Sequence, residues 1–526
     1  MSCVRSGQLT EPMTANKKFY ITTPIYYVND RPHIGHTYTT VAADVLARYH
    51  RLLGEEVFLL TGTDENSQKN VAAAAKAGES DIGKYLDEMS GVWRQTWSEL
   101  GLTFDGFIRT TEPRHIAAVN KFWEAVKTNQ PDDIYRGEYS GFYCEGCEAF
   151  VTETDLIDGD CPIHKKPPKQ IREKNWFFRL SSYRQRLLDH IDSHPDFIRP
   201  ESRRNEVRSY VDKFMADISI SRESVKWGIP VPGDPKSVIY VWFDALINYL
   251  SGIGYGTDDA RFANFWPSQV HLVGKDIIKF HCALWPAMLM AAGLPLPEQV
   301  FAHGFFTING DKISKSLGNA IDPRELVKKF GFDPIRYFLL REINFGQDGD
   351  FSFERLSGRY QNDLGNELGN LLHRVLSMTE KYFDGLVPAD GGGCAEAPID
   401  QAKDWADYEA ALSQADFGAA LEVIWVGLRW DNKHIDETKP WALAKTDRPA
   451  LAKTIYYLLE HLRQTAWMLR PFMPDVSARM LEQLGAAAAD AKKSWSEAKV
   501  WGGLPEGAKI AKGEPLFPRI ESENKA

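Results

Sequence analysis

Residues 19–22 form an apolar, β-branched run, the pattern of a buried strand. Residues 37–53 follow with Val41, Val45, Leu46, Tyr49, Leu52 and Leu53 at helical spacing. Gly54 ends this helix, residues 57–60 read as a second strand, and Asp64 falls just past it. Strand, helix, strand is the opening unit of a doubly wound α/β sheet, whose sites lie beyond the carboxyl ends of the strands. The same alternation returns much later, with strands predicted at 238–243, 270–273 and 299–302 and a helix at 277–292. An insertion over about 120–230 therefore splits the sheet. After Leu326 the strand signals fade and helical periodicity takes over at 360–382, 405–430 and 451–469, with a break at Gly391, Gly392 and Gly393. The alanine run at 486–489 is compatible with helix, and no repeat of solenoid length is present.

The predicted fold is thus α/β: a Rossmann-like, doubly wound parallel sheet split by an insertion and followed by an α-helical domain. Composition supports several cores, since the 526 residues are 43% apolar and 25% charged. A net charge of −10 argues against coating nucleic acid by bulk electrostatics. Local basic groups remain, at Arg179, Arg184 and Arg186 and at Arg199, Arg203, Arg204 and Arg208, and each alone reads as a solvated helix face. No apolar run reaches the ~20 residues of a membrane span, and residues 1–18 lack the core of a secretory signal, so a cytoplasmic protein without membrane attachment is expected.

Between the first strand and helix stands Pro32-His33-Ile34-Gly35-His36, which brings two imidazoles and a small residue to a helix N-terminus suited to phosphate. Histidine can donate hydrogen bonds to phosphoryl oxygens as charge develops on them, and Gly35 admits close approach of a base or ribose. The alternative for this stretch alone is a pair of capping histidines. Far downstream, Lys312-Ile313-Ser314-Lys315-Ser316 follows the turn Asn309-Gly310-Asp311, and its two lysines suit a departing pyrophosphate. Alone it reads as a solvated loop; with the first motif, in this order on a split sheet, it points to nucleotide chemistry. The six cysteines form no disulfide framework, Cys3, Cys282 and Cys394 being scattered and inert. Cys144-x-x-Cys147 is followed, after thirteen intervening residues, by Cys161-x-x-His164, four soft or borderline ligands in two close pairs that fit a closed, tetrahedral, structural zinc site.

His33 to His36 and Lys312 to Ser316 resemble the HIGH and KMSKS signatures of class I aminoacyl-tRNA synthetases, with Ile313 where methionine is common. The segments 24–29, 240–245 and 274–281 resemble those of methionyl-tRNA synthetases, and the likeness runs from about Lys18 to the last helices. The resemblance implies ATP-dependent activation of L-methionine, with Mg2+ accompanying ATP, and transfer to the 3′ terminal adenosine of initiator and elongator tRNA(Met) bearing a CAU anticodon. It implies catalytic roles for His33, His36, Lys312 and Lys315, and an ATP site of His33, Gly35, His36, Gly274, Asp276, Lys312, Ser314 and Lys315. Ile25, Tyr27, Trp242, Ala245, Leu246, Tyr249, Ile277 and His281 would line the methionine side chain and Asp64 would hold its ammonium. Leu246 stands where many relatives carry proline. Polarisable aromatic walls suit a thioether, a sulfur–ring contact contributing ~0.3–1.5 kcal/mol.

The cysteine set resembles the single-knuckle form of some methionyl enzymes. Asn362 and Trp441 match anticodon-contacting positions, although Asn366 replaces an arginine of some relatives; for Trp441 the alternative is packing within a helix bundle. The expected organisation is a first catalytic half at 18–119, the zinc-bearing insertion at 120–230, a second catalytic half at 231–325, a stem-contact linker at 326–385 and a helical anticodon-binding domain at 386–526. No tRNA-binding appendage is expected after Lys512, hence a monomer. Leucyl, isoleucyl and valyl enzymes share both signatures but need a longer insertion for editing, and the cysteinyl enzyme uses its zinc to grip substrate. A nucleotidylyltransferase with HxGH needs neither the knuckle nor the helical domain, and a non-catalytic RNA-binding module needs neither phosphate motif.

Overall fold

The computed structural model of the chain describes residues 17–146, 148–151, 156–162, 165–308, 311–313, 320–389 and 400–520. Its centre is a six-stranded, wholly parallel sheet built from β1 (Lys18–Tyr27), β2 (Glu56–Asp64), β3 (Gly106–Arg109), β4 (Ile198–Arg199), β5 (Val270–Gly274) and β6 (Val300–His303), in the order β3-β2-β1-β5-β6-β4. Helix α1 (Ile34–Leu52) crosses from β1 to β2 on one side, whereas β5 joins β1 on the other. The strand order therefore reverses between β1 and β5, the place where doubly wound sheets open a crevice beyond their carboxyl ends. Tyr20 and Ile21 of β1, with Leu59 and Leu60 of β2, are at most 1% exposed, as the central strands of a sheet covered on both faces must be.

The segment predicted as a strand at 238–243 is divided. Its strand is Asp234–Ile239, which pairs antiparallel within a separate three-stranded sheet; Tyr240 then caps a short helix, Val241–Ala245. The apolar run continues through both, so hydrophobicity alone could not mark the change. The predicted helix at 277–292 is present as three turns of different pitch: a 3-10 turn Lys275–Ile277, a π segment Phe280–Leu284 and the α-helix Trp285–Ala292.

The inserted unit is narrower than 120–230. Residue 120 lies inside the helix Pro113–Asn129, and β4, deep in the predicted insertion, is an edge strand of the main sheet paired with β6. What stands apart is a four-stranded antiparallel sheet of Ala149–Val151, Ile134–Cys144, Lys169–Phe178 and Ile218–Ser219. Downstream the chain is helical. The stretch predicted over 405–430 is two helices, Gln401–Ser413 and Phe417–Thr438, separated by a turn in which Ala415 takes φ 54. The break expected at Gly391, Gly392 and Gly393 lies outside the described residues.

The catalytic and helical parts are joined by a buried ion pair. Arg336, on helix Phe332–Arg341, donates to Asp44 of α1 at 2.7 Å, to the Phe472 carbonyl at 2.5 Å and to the Pro471 carbonyl at 2.8 Å, and both charged side chains are fully buried. Burial alone would raise the Asp44 pKa, but Arg336, Arg48 and two hydrogen bonds from Thr103 hold it below its ordinary value.

Candidate active site

A cleft of ≈ 1020 Å³ opens at the carboxyl ends of the central strands. β1 leads into it through the turn before α1, β2 ends in it at Asp64, and β5 and β6 end in it at Gly274 and His303.

The two imidazoles of the first motif both cap α1 and line the cleft, so the capping and functional readings hold together. His33 is the N-cap; its Nδ1 accepts from Gly35 N–H at 3.1 Å, while His36 Nδ1 accepts from His33 N–H at 3.2 Å. An Nδ1 that accepts carries no proton, so each neutral ring is inferred to hold its hydrogen on Nε2. The rings lie 3.8 Å apart, and a Cβ on Gly35 would meet the His33 ring at 3.0 Å. Any larger residue here would press on the His33 ring and shift it by a few tenths of an ångström, so glycine favours the histidine's own placement, a reason the sequence did not disclose.

Of the second motif, the Lys312 side chain, Ser314 and Lys315 lie outside the described residues, as do residues 316–319. The flanks of that segment are in place. Ile313 lines the cleft at 3% exposure, which explains why an apolar residue serves there, and the Ile321 carbonyl accepts from Ile34 N–H at 3.1 Å. Of the described flanks, Ile313 thus lies in the cleft and Ile321 against the N-terminus of α1.

The same cleft is lined by the residues assigned to the amino acid, Ile25, Tyr27 and Asp64 from before the insertion and Trp242, Ala245, Leu246, Tyr249, Ile277 and His281 from after it, and by Gly274 and Asp276. Trp242 stacks on Phe280 with centroids 4.0 Å apart, which fixes its plane. His281 Nδ1 lies 3.0 Å from the Ile277 carbonyl and must donate to it; its Nε2 then accepts from the Tyr249 hydroxyl at 2.7 Å. Burial drops the His281 pKa to about 4, so the ring is neutral at physiological pH and the pocket bottom carries no charge.

Asp64 is an acidic group of this wall. It is 4% exposed, and its Oδ1 has no hydrogen-bond partner among the described residues. Burial pushes its pKa well above the ordinary value, and the nearby Asp244 and Glu148 add to this. Asp244 is already engaged at both oxygens, by His115 Nε2 at 2.7 Å and Asn66 Nδ2 at 2.6 Å. A buried carboxylate oxygen left over in a polar cluster is suited to an incoming cation.

Sequence reasoning missed His303, whose Nε2 lies 2.7 Å from Thr39 Oγ1 in the cleft wall, as well as Lys69 and Glu148. The histidine before Gly304 at the end of a predicted strand was a usable signal under the rule for strand ends. Glu148 gave none. In the inserted sheet Cys144 and Cys161 are buried, at 4% and 1%, and Cys161 starts a tight turn in which its carbonyl accepts from Lys165 N–H at 2.8 Å. Cys147 and His164 lie outside the described residues, among which no group of three or more ligating side chains occurs. Trp441, on the helix Pro440–Thr446, is 48% exposed, which removes the core-packing alternative, and Asn362 is exposed on the π segment Tyr360–Gly369.

A parallel sheet with its crevice at the reversal of strand order, a histidine pair at the first helix and, in sequence, a Lys-x-Ser-Lys-Ser motif after the last strand of that sheet define the catalytic module of a class I aminoacyl-tRNA synthetase. The family described as "tRNA synthetases class I (M)" matches residues 19–169 and 151–376, and the "Anticodon binding domain of methionyl tRNA ligase" matches 394–526. The methionine–tRNA ligase of Thermotoga maritima is 46% identical over 520 residues, covering 96% of this chain and 81% of that one; the Streptomyces coelicolor enzyme is 44% identical over 526, covering 96% and 97%. The structure of Mycobacterium tuberculosis methionyl-tRNA synthetase in complex with methionyl-adenylate superposes with a TM-score of 0.89 at 41% identity, covering 96% of this chain and 100% of that one. The chain belongs to the methionyl-tRNA synthetase family and is a methionine–tRNA ligase. No helix among the described residues is long and apolar enough to cross a membrane.

Proposed function

We propose that the cleft forms methionyl-adenylate by in-line attack of the methionine carboxylate on the α-phosphate of ATP, with the site residues in the roles assigned above. The observation that carries the reading is the unsatisfied, buried Asp64 oxygen in a cleft that aromatic and aliphatic side chains line together with the histidine pair. Asp64 accepts the substrate ammonium. Ile25, Tyr27, Trp242, Ala245, Leu246, Tyr249, Ile277 and His281 surround the side chain. His33 and His36 donate from Nε2 to the phosphoryl oxygens, Gly35, Gly274 and Asp276 seat the nucleoside, and Lys312, Ser314 and Lys315 neutralise the departing pyrophosphate. Mg2+ enters with ATP as its counter-ion. The protein is expected to act as a cytoplasmic monomer.

The Asp64 assignment fixes a pH dependence. A neutral carboxyl cannot pair with an ammonium, so methionine binding tightens as pH rises through the Asp64 titration, which lies above the usual carboxylate range. Quenching of tryptophan fluorescence by methionine, followed from acid to neutral pH, measures this. Weaker binding as pH rises over that interval would remove Asp64 from the ammonium site, and Asp64→Asn is expected to flatten the profile.

The donor set of the inserted unit fits structural zinc: two buried cysteines, Cys144 at the end of a strand and Cys161 at the start of a turn, each with a second soft or borderline ligand three residues on. Cys144, Cys147, Cys161 and His164 would hold the ion, which supplies folding energy to the sheet and no chemistry to the reaction. Metal analysis is expected to return about one zinc per chain. Freshly purified, reduced protein containing disulfides in place of metal would contradict it.

For tRNA selection, exposed Trp441 presents its indole for stacking on an anticodon base, with Asn362 as a second contact. Trp441→Ala is expected to leave methionine-dependent pyrophosphate exchange and thermal stability unchanged. It should weaken charging of tRNA with a CAU anticodon roughly tenfold or more, in line with ~1–3 kcal/mol per stacked base. A stable variant that charges this tRNA normally would rule the contact out.

A further inference from the structure

Glu148 belongs to the inserted sheet by sequence and to the catalytic cleft by contact. It follows Cys147 directly, is 2% exposed, and holds φ at 47, a left-handed conformation that a glutamate keeps only when its surroundings enforce it. Both of its carboxylate oxygens accept from Ser67 Oγ at 2.8 Å, and Oε1 also accepts from Gln68 N–H at 2.8 Å; its carbonyl accepts from the Tyr240 hydroxyl at 2.7 Å. Ser67 is the N-cap of α2 (Gln68–Lys76), so Glu148 places a carboxylate on a helix N-terminus, where partial positive charge and N–H groups hold it. That helix forms part of the cleft. Its Lys69 lies over the Tyr27 ring at 4.4 Å, and its Asn70 donates to the Asp64 carbonyl at 2.9 Å.

We propose that Glu148 is a positioning residue for amino-acid binding: from the cysteine-bearing sheet it anchors the start of α2, and through Asn70 it fixes the aim of Asp64 at the substrate ammonium. The inserted sheet then serves the activation step as well as any role toward tRNA. Asp64 itself makes no hydrogen bond to Glu148; the link runs through one serine, one backbone N–H and one asparagine. The inference rests on Asp64 as the ammonium acceptor.

The test separates ammonium recognition from general binding. In the full-length enzyme, the KM values for methionine and ATP in pyrophosphate exchange are measured beside inhibition by 4-(methylthio)butanoate, which keeps the thioether and carboxylate but lacks the amino group. Measured at a pH above the Asp64 titration, where loss of the Glu148 charge adds nothing to the ionised fraction of Asp64, Glu148→Ala is expected to raise the methionine KM about tenfold, equivalent to ~1.4 kcal/mol. The ATP KM and the inhibition constant of the deaminated compound should stay near wild type. Glu148→Gln, whose amide oxygen still accepts from Ser67 and Gln68, recovers most of the affinity.

An unchanged methionine KM in Glu148→Ala, or equal weakening of methionine and the deaminated compound, would overturn the proposal. If Glu148→Ala does not fold, Ser67→Ala carries the test, with the same selective loss in smaller measure expected and the same two overturning results. Asp64→Ala is assayed in parallel: if it still prefers methionine over the deaminated compound, the Asp64 reading itself fails, whatever the Glu148 variants do.

Discussion

His33→Ala is expected to slow methionyl-adenylate formation by two to three orders of magnitude while methionine affinity stays near wild type, because loss of one preorganised donor to developing charge costs ~2.7–4 kcal/mol of barrier. The geometry sharpens this expectation. His33 Nδ1 is occupied by the Gly35 N–H, so the group lost from the reaction is the Nε2 donor, and its loss leaves the methionine walls untouched. The substitution also removes an N-cap, which costs ~0.5–2 kcal/mol of stability. Single-turnover adenylate formation normalised to folded enzyme separates the two effects. His33→Asn keeps a capping oxygen and restores stability without restoring the rate. Lys315→Ala is expected to slow the same step through loss of charge at the pyrophosphate. An adenylation rate within a few-fold of wild type in His33→Ala would take the histidine out of the mechanism.

Arg336→Ala is expected to be strongly destabilising. Its guanidinium satisfies Asp44 of α1 together with two carbonyls of the turn after the last long helix, all without solvent access. Removing one member of a buried pair leaves the other charge stranded, at ~3–5 kcal/mol. Arg48 still reaches Asp44 at 2.6 Å, but the Phe472 and Pro471 carbonyls lose their donor. A lowered urea midpoint is therefore expected, with methionine and ATP affinities unchanged in the protein that remains folded. A midpoint equal to wild type would show that the clamp contributes nothing net. Asp44→Asn, measured beside it and in the double variant, gives the coupling between the two side chains.

What the sequence disclosed depended on how local each signal was. The strand, helix, strand opening was legible because periodicity within residues 19–60 is set by burial on known faces, and the observed helix differs mainly in starting at Ile34. The strand at 238–243 was misread because an apolar run supports strand and helix equally, and the switch at Tyr240 depends on the antiparallel partners of Asp234–Ile239. β4 is two residues long and joins the main sheet only by pairing with β6 across about a hundred residues, so no window of sequence could reveal it. The helix break at Ala415 carries no glycine or proline to announce it.

The site was legible in a different way. The histidine pair, the lysine segment and the cysteine pairs carry their chemistry in their spacing. Trp242, Tyr249 and His281 do not; they were assigned by resemblance to methionyl enzymes, and the structure brings them to one cleft with Asp64. His303 and Glu148 were missed because each acts from a distant segment, through a Thr39 contact in one case and the start of α2 in the other.

The central claim is the activation of methionine on this cleft and its transfer to tRNA. The most direct measurement is ATP–pyrophosphate exchange by the purified chain with each of the twenty amino acids in turn, followed by charging of tRNA carrying a CAU anticodon. The account predicts exchange with methionine far above all others and methionine attached to that tRNA; exchange driven best by another amino acid, or independent of any, would contradict it.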